Sequence, residues 1–403
     1  MQLNRNMIGI LVIAIVTLVA GAFLLGKTRG LPQDSGQGKV APTVQFLPLG
    51  APDLPREGKL GLAGSPAKFS HFRVGNKNVK SMYVEGNIVW VGTSGGVVRY
   101  DTKTDDYRVF DNRNGLLSNG IFYVGRIKGQ LTVGTYGGGM SMLDEKTSQW
   151  KHYNIPEGMG DAFIYDVVEM KNGDIWIATW SGANRIRGGA LDDRSKWELF
   201  TVENTKGGLP NDWVYGLAEG KNGVLWLATE GGMARFEDGK WENWNHAKGI
   251  GTPYEKVKDS VDFKNDPGQA SVHHAKQKQE MGLQDVNVAF NPNYIVALEV
   301  ANDGKVWAGT WGGGLTIWDG QKWSNYSSVE GLPGNHVFSL HQDLKGQMWI
   351  GTNRGLALWQ EGKFKVLTTN DGLFDNNIFS MATQADGSMW VGSFGGVAYI
   401  KPQ

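Results

Sequence analysis

From residue 69 onward, apolar and polar positions alternate in runs of four to seven residues, each broken by a glycine-containing turn. That two-residue period is the mark of half-buried β-strands. One motif recurs seven times: WVGTSGG from Trp90, LTVGTYGGG from Leu131, WIATWSG from Trp176, WLATEGG from Trp226, WAGTWGGG from Trp307, WIGTNRG from Trp349 and WVGSFGG from Trp390. Successive anchors are 41 to 50 residues apart, except that 81 residues separate Trp226 from Trp307.

Each copy reads as four short strands. A β-branched and aromatic run leads to a hairpin with glycine, as at Gly86, Gly173 and Gly304, and several of these, such as Asn172-Gly173 and Asp303-Gly304, are Asn-Gly or Asp-Gly pairs that accept the positive φ of a tight turn. The anchor strand follows, then a Gly-rich turn and a third strand. The fourth strand opens with an aromatic pair such as Tyr107/Phe110, Trp150/Tyr153, Trp197/Phe200, Trp241/Trp244 or Trp323/Tyr326. Four antiparallel strands repeated every forty-odd residues predict a β-propeller. The seventh copy stops at Tyr399-Ile400 without its fourth strand, and a fragment of fourth-strand type, Phe69-Ser70-His71-Phe72, precedes the first copy. The sequence therefore predicts an all-β, seven-bladed propeller of four-stranded blades, sealed by the N-terminal strand, which removes open sheet edges.

Residues 331–359, GLPGNHVFSLHQDLKGQMWIGTNRGLALW, resemble the two-component regulator propeller repeat, with its pattern GLPxNxVxxI…DxxGxLWIGTxxGL. The resemblance runs from about Phe69 to the C-terminus. It implies a bacterial, extracytoplasmic propeller of the kind that forms the sensing half of membrane-bound histidine kinases. No kinase or adaptor domain is expected after the last blade, so signalling by this chain alone is not implied.

Ahead of the propeller, residues 7–25 form an uncharged apolar run flanked by Arg5, Lys27 and Arg29. At about 1.5 Å per residue it just spans a hydrocarbon core of about 30 Å, and it exceeds the apolar stretch of a cleaved signal peptide. Residues 1–29 are thus expected to be a single-pass anchor in a bacterial inner membrane, with the propeller on the periplasmic side. Residues 30–67, with Pro32, Pro42, Pro48, Pro52, Pro55 and Pro66, are expected to be a semi-extended tether, and 68–403 the propeller.

Composition narrows the functions. Lys+Arg 40 balances Asp+Glu 40, which excludes the basic surplus of a nucleic-acid binder. The absence of cysteine excludes disulfides, thiolate chemistry and Cys-ligated metals. Of 16 Trp, Trp180, Trp213 and Trp311 fall outside the expected blade-to-blade core.

The long gap predicts an insertion at about 249–291, between blades four and five, with mixed charge, no Trp and a short helix near 270–281. Strand counting puts it on the face that also carries the turns between second and third strands. The candidate ligand- or partner-binding face is therefore Tyr136, Phe163, Trp180, Trp213, Glu230, Tyr294, Trp311, His336 and Phe394. Those Trp could equally plug the channel mouth.

Little points to catalysis. His273-His274 are adjacent and lack the further ligands of a metal site, and the Asn302-Asp303-Gly304 and Asp386-Gly387 fragments are hairpin turns. No cofactor, metal or catalytic group is expected. The reading is a non-enzymatic docking or accessory subunit of a larger membrane complex. Its alternatives are a ligand-sensing module, with a small molecule at the channel mouth, acting through a separate partner, and a propeller lyase or hydrolase using Glu230 and His336.

Overall fold

The computed structural model describes residues 54–402 apart from 63, 64, 66, 262, 264 and 265. The expected anchor at 7–25 and most of the tether lie outside the described residues. Among the described residues, no helix is long and apolar enough to cross a membrane.

The described chain is almost entirely antiparallel β-sheet. Five separate four-stranded sheets carry innermost strands Ile121–Ile127, Ile164–Glu169, Val214–Glu219, Asn291–Val300 and Val337–Gln342. A sixth sheet unites the first and last blades, because the long strand Phe69–Glu85 runs through both. Its first half pairs with the end of Met389–Ile400: Phe69 opposes Ile400, Ser70 opposes Tyr399 and His71 opposes Ala398. Its second half pairs with Ile88–Thr93 as the inner strand of blade one. With Ile378–Thr383 as the inner strand of the last blade, the ring closes at seven, stitched as the sequence predicts. The tether contributes more than a link: Glu57–Lys59 adds a further strand along Asp106–Phe110 and covers the outer edge of blade one.

The repeated motif has a mechanical explanation. The hydroxyls of Thr93, Thr135, Thr179, Thr229, Thr310, Thr352 and Ser393 each donate to a glycine carbonyl across the turn, at 2.8–3.0 Å. The glycine is obligatory where the third strand starts. At Gly232, φ is 126° and a Cβ would stand 2.1 Å from the Trp244 carbonyl oxygen. The anchor indoles lie between blades: Trp90, Trp176 and Trp390 are buried, and Trp390 donates to Gln384 Oε1 at 3.0 Å.

Every inner strand carries a β-bulge at the same place, two residues into the blade. The register shifts between Val79/Ser81, Ile121/Tyr123, Ile164/Asp166, Val214/Gly216, Ile295/Ala297, Val337/Ser339 and Ile378/Ser380. The residue after the bulge turns sideways and bonds to the next blade. Ser81 Oγ accepts from Val124 N (3.0 Å), Asp166 Oδ2 from Leu217 N (2.8 Å), and Ser339 Oγ donates to Ile378 O (3.0 Å). The extra residue itself is re-aimed toward the axis.

Candidate functional site: an aromatic channel mouth beneath an insertion

The seven bulge residues are Lys80, Phe122, Tyr165, Tyr215, Val296, Phe338 and Phe379, and all line a central cavity of about 630 Å³. Rings from the strand ends stack above them. Phe163 lies flat on Trp180 (centroids 4.8 Å, 14°), Trp180 on Trp213 (5.0 Å, 13°) and Tyr294 on Trp311 (5.4 Å, 19°). Within the bulge tier Tyr165 meets Tyr215 and Phe338 meets Phe379 (4.8 and 5.3 Å), and the two tiers join through Tyr215–Tyr294 (4.8 Å) and Trp311–Phe338 (5.9 Å). The result is one continuous aromatic belt around most of the channel. Burial pushes the Tyr165 and Tyr215 phenols well above their ordinary range, so they stay neutral hydrogen-bonding groups.

Three short helices order the insertion: α1 (Tyr254–Val257), α2 (Pro267–Ala270) and α3 (Val272–Glu280). Its charged composition reads as a solvated loop, but it builds a small core of its own from Val257, Val261 and Phe290. Lys278 is buried there against Asp266 at 2.5 Å. The helix expected near 270–281 is α3. The segment is pinned to the propeller by Thr252 N to Gly313 O (2.8 Å), Asn335 Nδ2 to Ser260 Oγ (3.0 Å) and Asn291 Nδ2 to Gln277 Oε1 (2.9 Å). It covers the mouth over blades four to six, where Phe263 meets Trp311 edge-on at 5.7 Å and His273 packs on Trp213 at 4.7 Å.

Five of the nine residues expected on this face line the cavity: Tyr136, Trp180, Trp213, Tyr294 and Trp311. Phe163 supports Trp180 from behind and meets Tyr136 edge-on at 4.6 Å. Phe394 opposes Asn78 in blade seven and is half-buried there. Glu230 and His336 stand at the expected places in the chain but are not surface groups, because the insertion buries both. Glu230 Oε1 pairs with His274 Nδ1 and lies 3.6 Å from His273 Nε2, while Tyr215 donates to Oε2 at 3.2 Å. The His336 ring bonds Ala289 O at 2.7 Å. The two are thus held by separate partners. Among the described residues, no group of three His, Asp or Glu side chains is arranged to hold a metal.

The bulge tier was absent from the expected face. A signal for it exists, in the residue that follows the β-branched opener of each inner strand, which is aromatic in five blades of seven. Two acidic groups sit low on the same strands. Burial raises the Asp166 carboxyl to about 7 against the pull of the Leu217 and Val167 amides, and raises Glu299 to about 7 with a smaller push from Asp166.

Three segments, 208–231, 331–354 and 372–395, match the family model of the two component regulator propeller. No curated protein matches the sequence. Among solved structures, the extracellular domain of a hybrid two component system from B. thetaiotaomicron is similar at 20% identity and a TM-score of 0.64, over 85% of this chain and 42% of that one. The chain thus spans about two fifths of the length of that domain. A catalytically inactive virginiamycin B lyase from Staphylococcus aureus with quinupristin is similar at 11% identity and 0.58, over 83% and 99%. YCF48 bound to a D1 peptide is similar at 12% identity and 0.54, over 85% and 99%. At these identities the solved structures speak for the fold alone, whereas the matched segments fall on blades of the ring itself. The chain is a β-propeller, three segments of which match the two component regulator propeller model.

Proposed function

We propose that the chain is a non-enzymatic propeller, tethered on the extracytoplasmic side of a bacterial inner membrane, that docks a subunit of a larger membrane complex through its insertion face. The carrying observation is the distribution of exposed apolar side chains. Among the described residues six large ones are exposed, and five of them, Leu117, Ile155, Leu199, Val272 and Val329, rim this face. Leu117, Ile155 and Val329 belong to the links between blades, Leu199 lies beside Gly160 of such a link, and Val272 opens α3. Leu344 alone sits at the opposite end. Apolar groups gathered around an aromatic mouth are what an interface buries. YCF48, which shares the fold, is seen with a bound peptide. Against a catalytic role, Glu230 and His336 are each buried and separately bonded.

The test is the size of the particle. Solubilised from its native membrane in mild detergent, the full chain should elute with its partner, and the Leu117→Glu/Val329→Glu variant should elute alone. Elution of the unaltered chain as a monomer would overturn the proposal. A second reading, sensing of a small ligand, is favoured by the roofed cavity within the ring, whose volume is in the range of small-molecule sites.

A further inference from the structure

Six of the seven bulge residues are aromatic or aliphatic, and the seventh is Lys80. Its Nζ lies 4.7 Å from the centroid of the Phe379 ring. No acidic side chain pairs with it among the described residues. Other enclosed cations of this molecule do find carboxylates: Lys278 takes Asp266, Arg126 takes Glu85 and Arg185 takes Asp174. Lys80 is half-buried on the cavity wall, and a cation in so confined a place is costly unless something of opposite charge meets it, a cost that a ring face offsets only in part.

The remaining ionisable groups on the cavity wall do not serve. Asp166 is already held by the amides of Leu217 and Val167 at 2.8 and 2.9 Å. His274 is committed to Glu230. The tyrosines are neutral phenols. Burial lowers the Lys80 ammonium to about 8, which leaves most of it charged at neutral pH. The rings of Phe122, Phe338 and Phe379 line the same cavity as Lys80.

We infer that the channel binds a small organic anion with a flat apolar body, its anionic group on Lys80 and its body against Phe122, Phe338 and Phe379. The inference rests on the ligand-sensing reading and adds the chemistry of the ligand. A carboxylate or sulfonate against Lys80 supplies the missing counter-charge through a charge-assisted contact, which is stronger than a neutral one. The flat body suits a wall made of π-faces, and the volume admits two or three fused rings.

The probes are 2-naphthoate and its uncharged isostere 2-naphthamide, titrated calorimetrically into the full chain in mild detergent, with protein-free micelles as the blank. Naphthoate is expected to bind about tenfold more tightly than the amide. Lys80→Met should erase that difference by weakening naphthoate, and Phe379→Ala should weaken both; thermal melts confirm that the variants fold. Equal affinities in the unaltered protein, or a preference that survives Lys80→Met, would overturn the anionic assignment and leave the ligand reading standing. Failure of both probes to bind would remove that reading as well.

Discussion

Ser380 Oγ donates to the carbonyl of Val79 at 2.9 Å, and through that bond the last inner strand is tied to the first. The same sideways contact recurs at Ser81, Asp166 and Ser339, so closure repeats the junction already used between other blades. Closure also buries Phe72, Tyr100 and Trp390 in one cluster, with Trp390–Tyr399 centroids at 4.5 Å. The two ends of the propeller therefore share a core.

A disulfide tests that junction without interference, because the chain has no cysteine of its own. His71 opposes Ala398, and side chains of directly opposed residues come within about 5 Å, close to disulfide reach. His71→Cys/Ala398→Cys should oxidise readily in the folded protein and migrate as a cross-linked monomer on non-reducing gels. Free thiols in both positions after oxidation would show that the ends do not pair.

The hydroxyl clamp of the repeat is expected to carry measurable stability. Thr229 donates to Gly232 O at 2.8 Å and accepts from Gly231 N at 3.1 Å, with no exposure to water. Thr229→Val keeps the shape but strands both backbone groups, a loss of about 1–3 kcal/mol. Gly232→Ala should cost more, since it adds a contact at 2.1 Å to a positive φ. Urea midpoints of the two variants read both effects.

The contribution of Glu299 to stability should fall as pH rises from about 4 toward 7. The Glu299 carboxyl titrates near 7 in the folded chain and near 4 once unfolded, so in this window the folded state holds the extra proton. Its favourable contribution is complete below about pH 4 and is lost as pH passes 7. Glu299→Gln removes that group's share, about 2 kcal/mol, and its thermal midpoint should decline less between pH 5 and pH 8 than that of the unaltered chain. An identical decline in both would contradict the assignment.

The legibility of this fold in its sequence has a physical cause. The anchor Trp, the Thr clamp and its glycine answer to one local geometry, repeated seven times, so each copy reports the same strand and turn. The fragment at Phe69 was legible because outer strands carry an aromatic pair. The bulges were not, because one inserted residue reverses the two-residue alternation. Phe338 and Phe379 then look like side chains of a blade face when they are walls of the channel. The burial of Glu230 and His336 was also beyond reach, because it depends on the path of the insertion. That path rests on the Lys278–Asp266 pair and the small core at Phe290, within a stretch whose composition reads as solvated.

The docking face can be tested in place by single-cysteine labelling. Ile155→Cys and Leu344→Cys introduce one thiol each at opposite ends of the ring, both well exposed in the isolated chain. A membrane-impermeant maleimide applied to native membranes should label Leu344→Cys and spare Ile155→Cys, while both react after purification of the chain alone. Equal labelling of the two positions in native membranes would contradict the claim that this protein works by docking a partner on its insertion face.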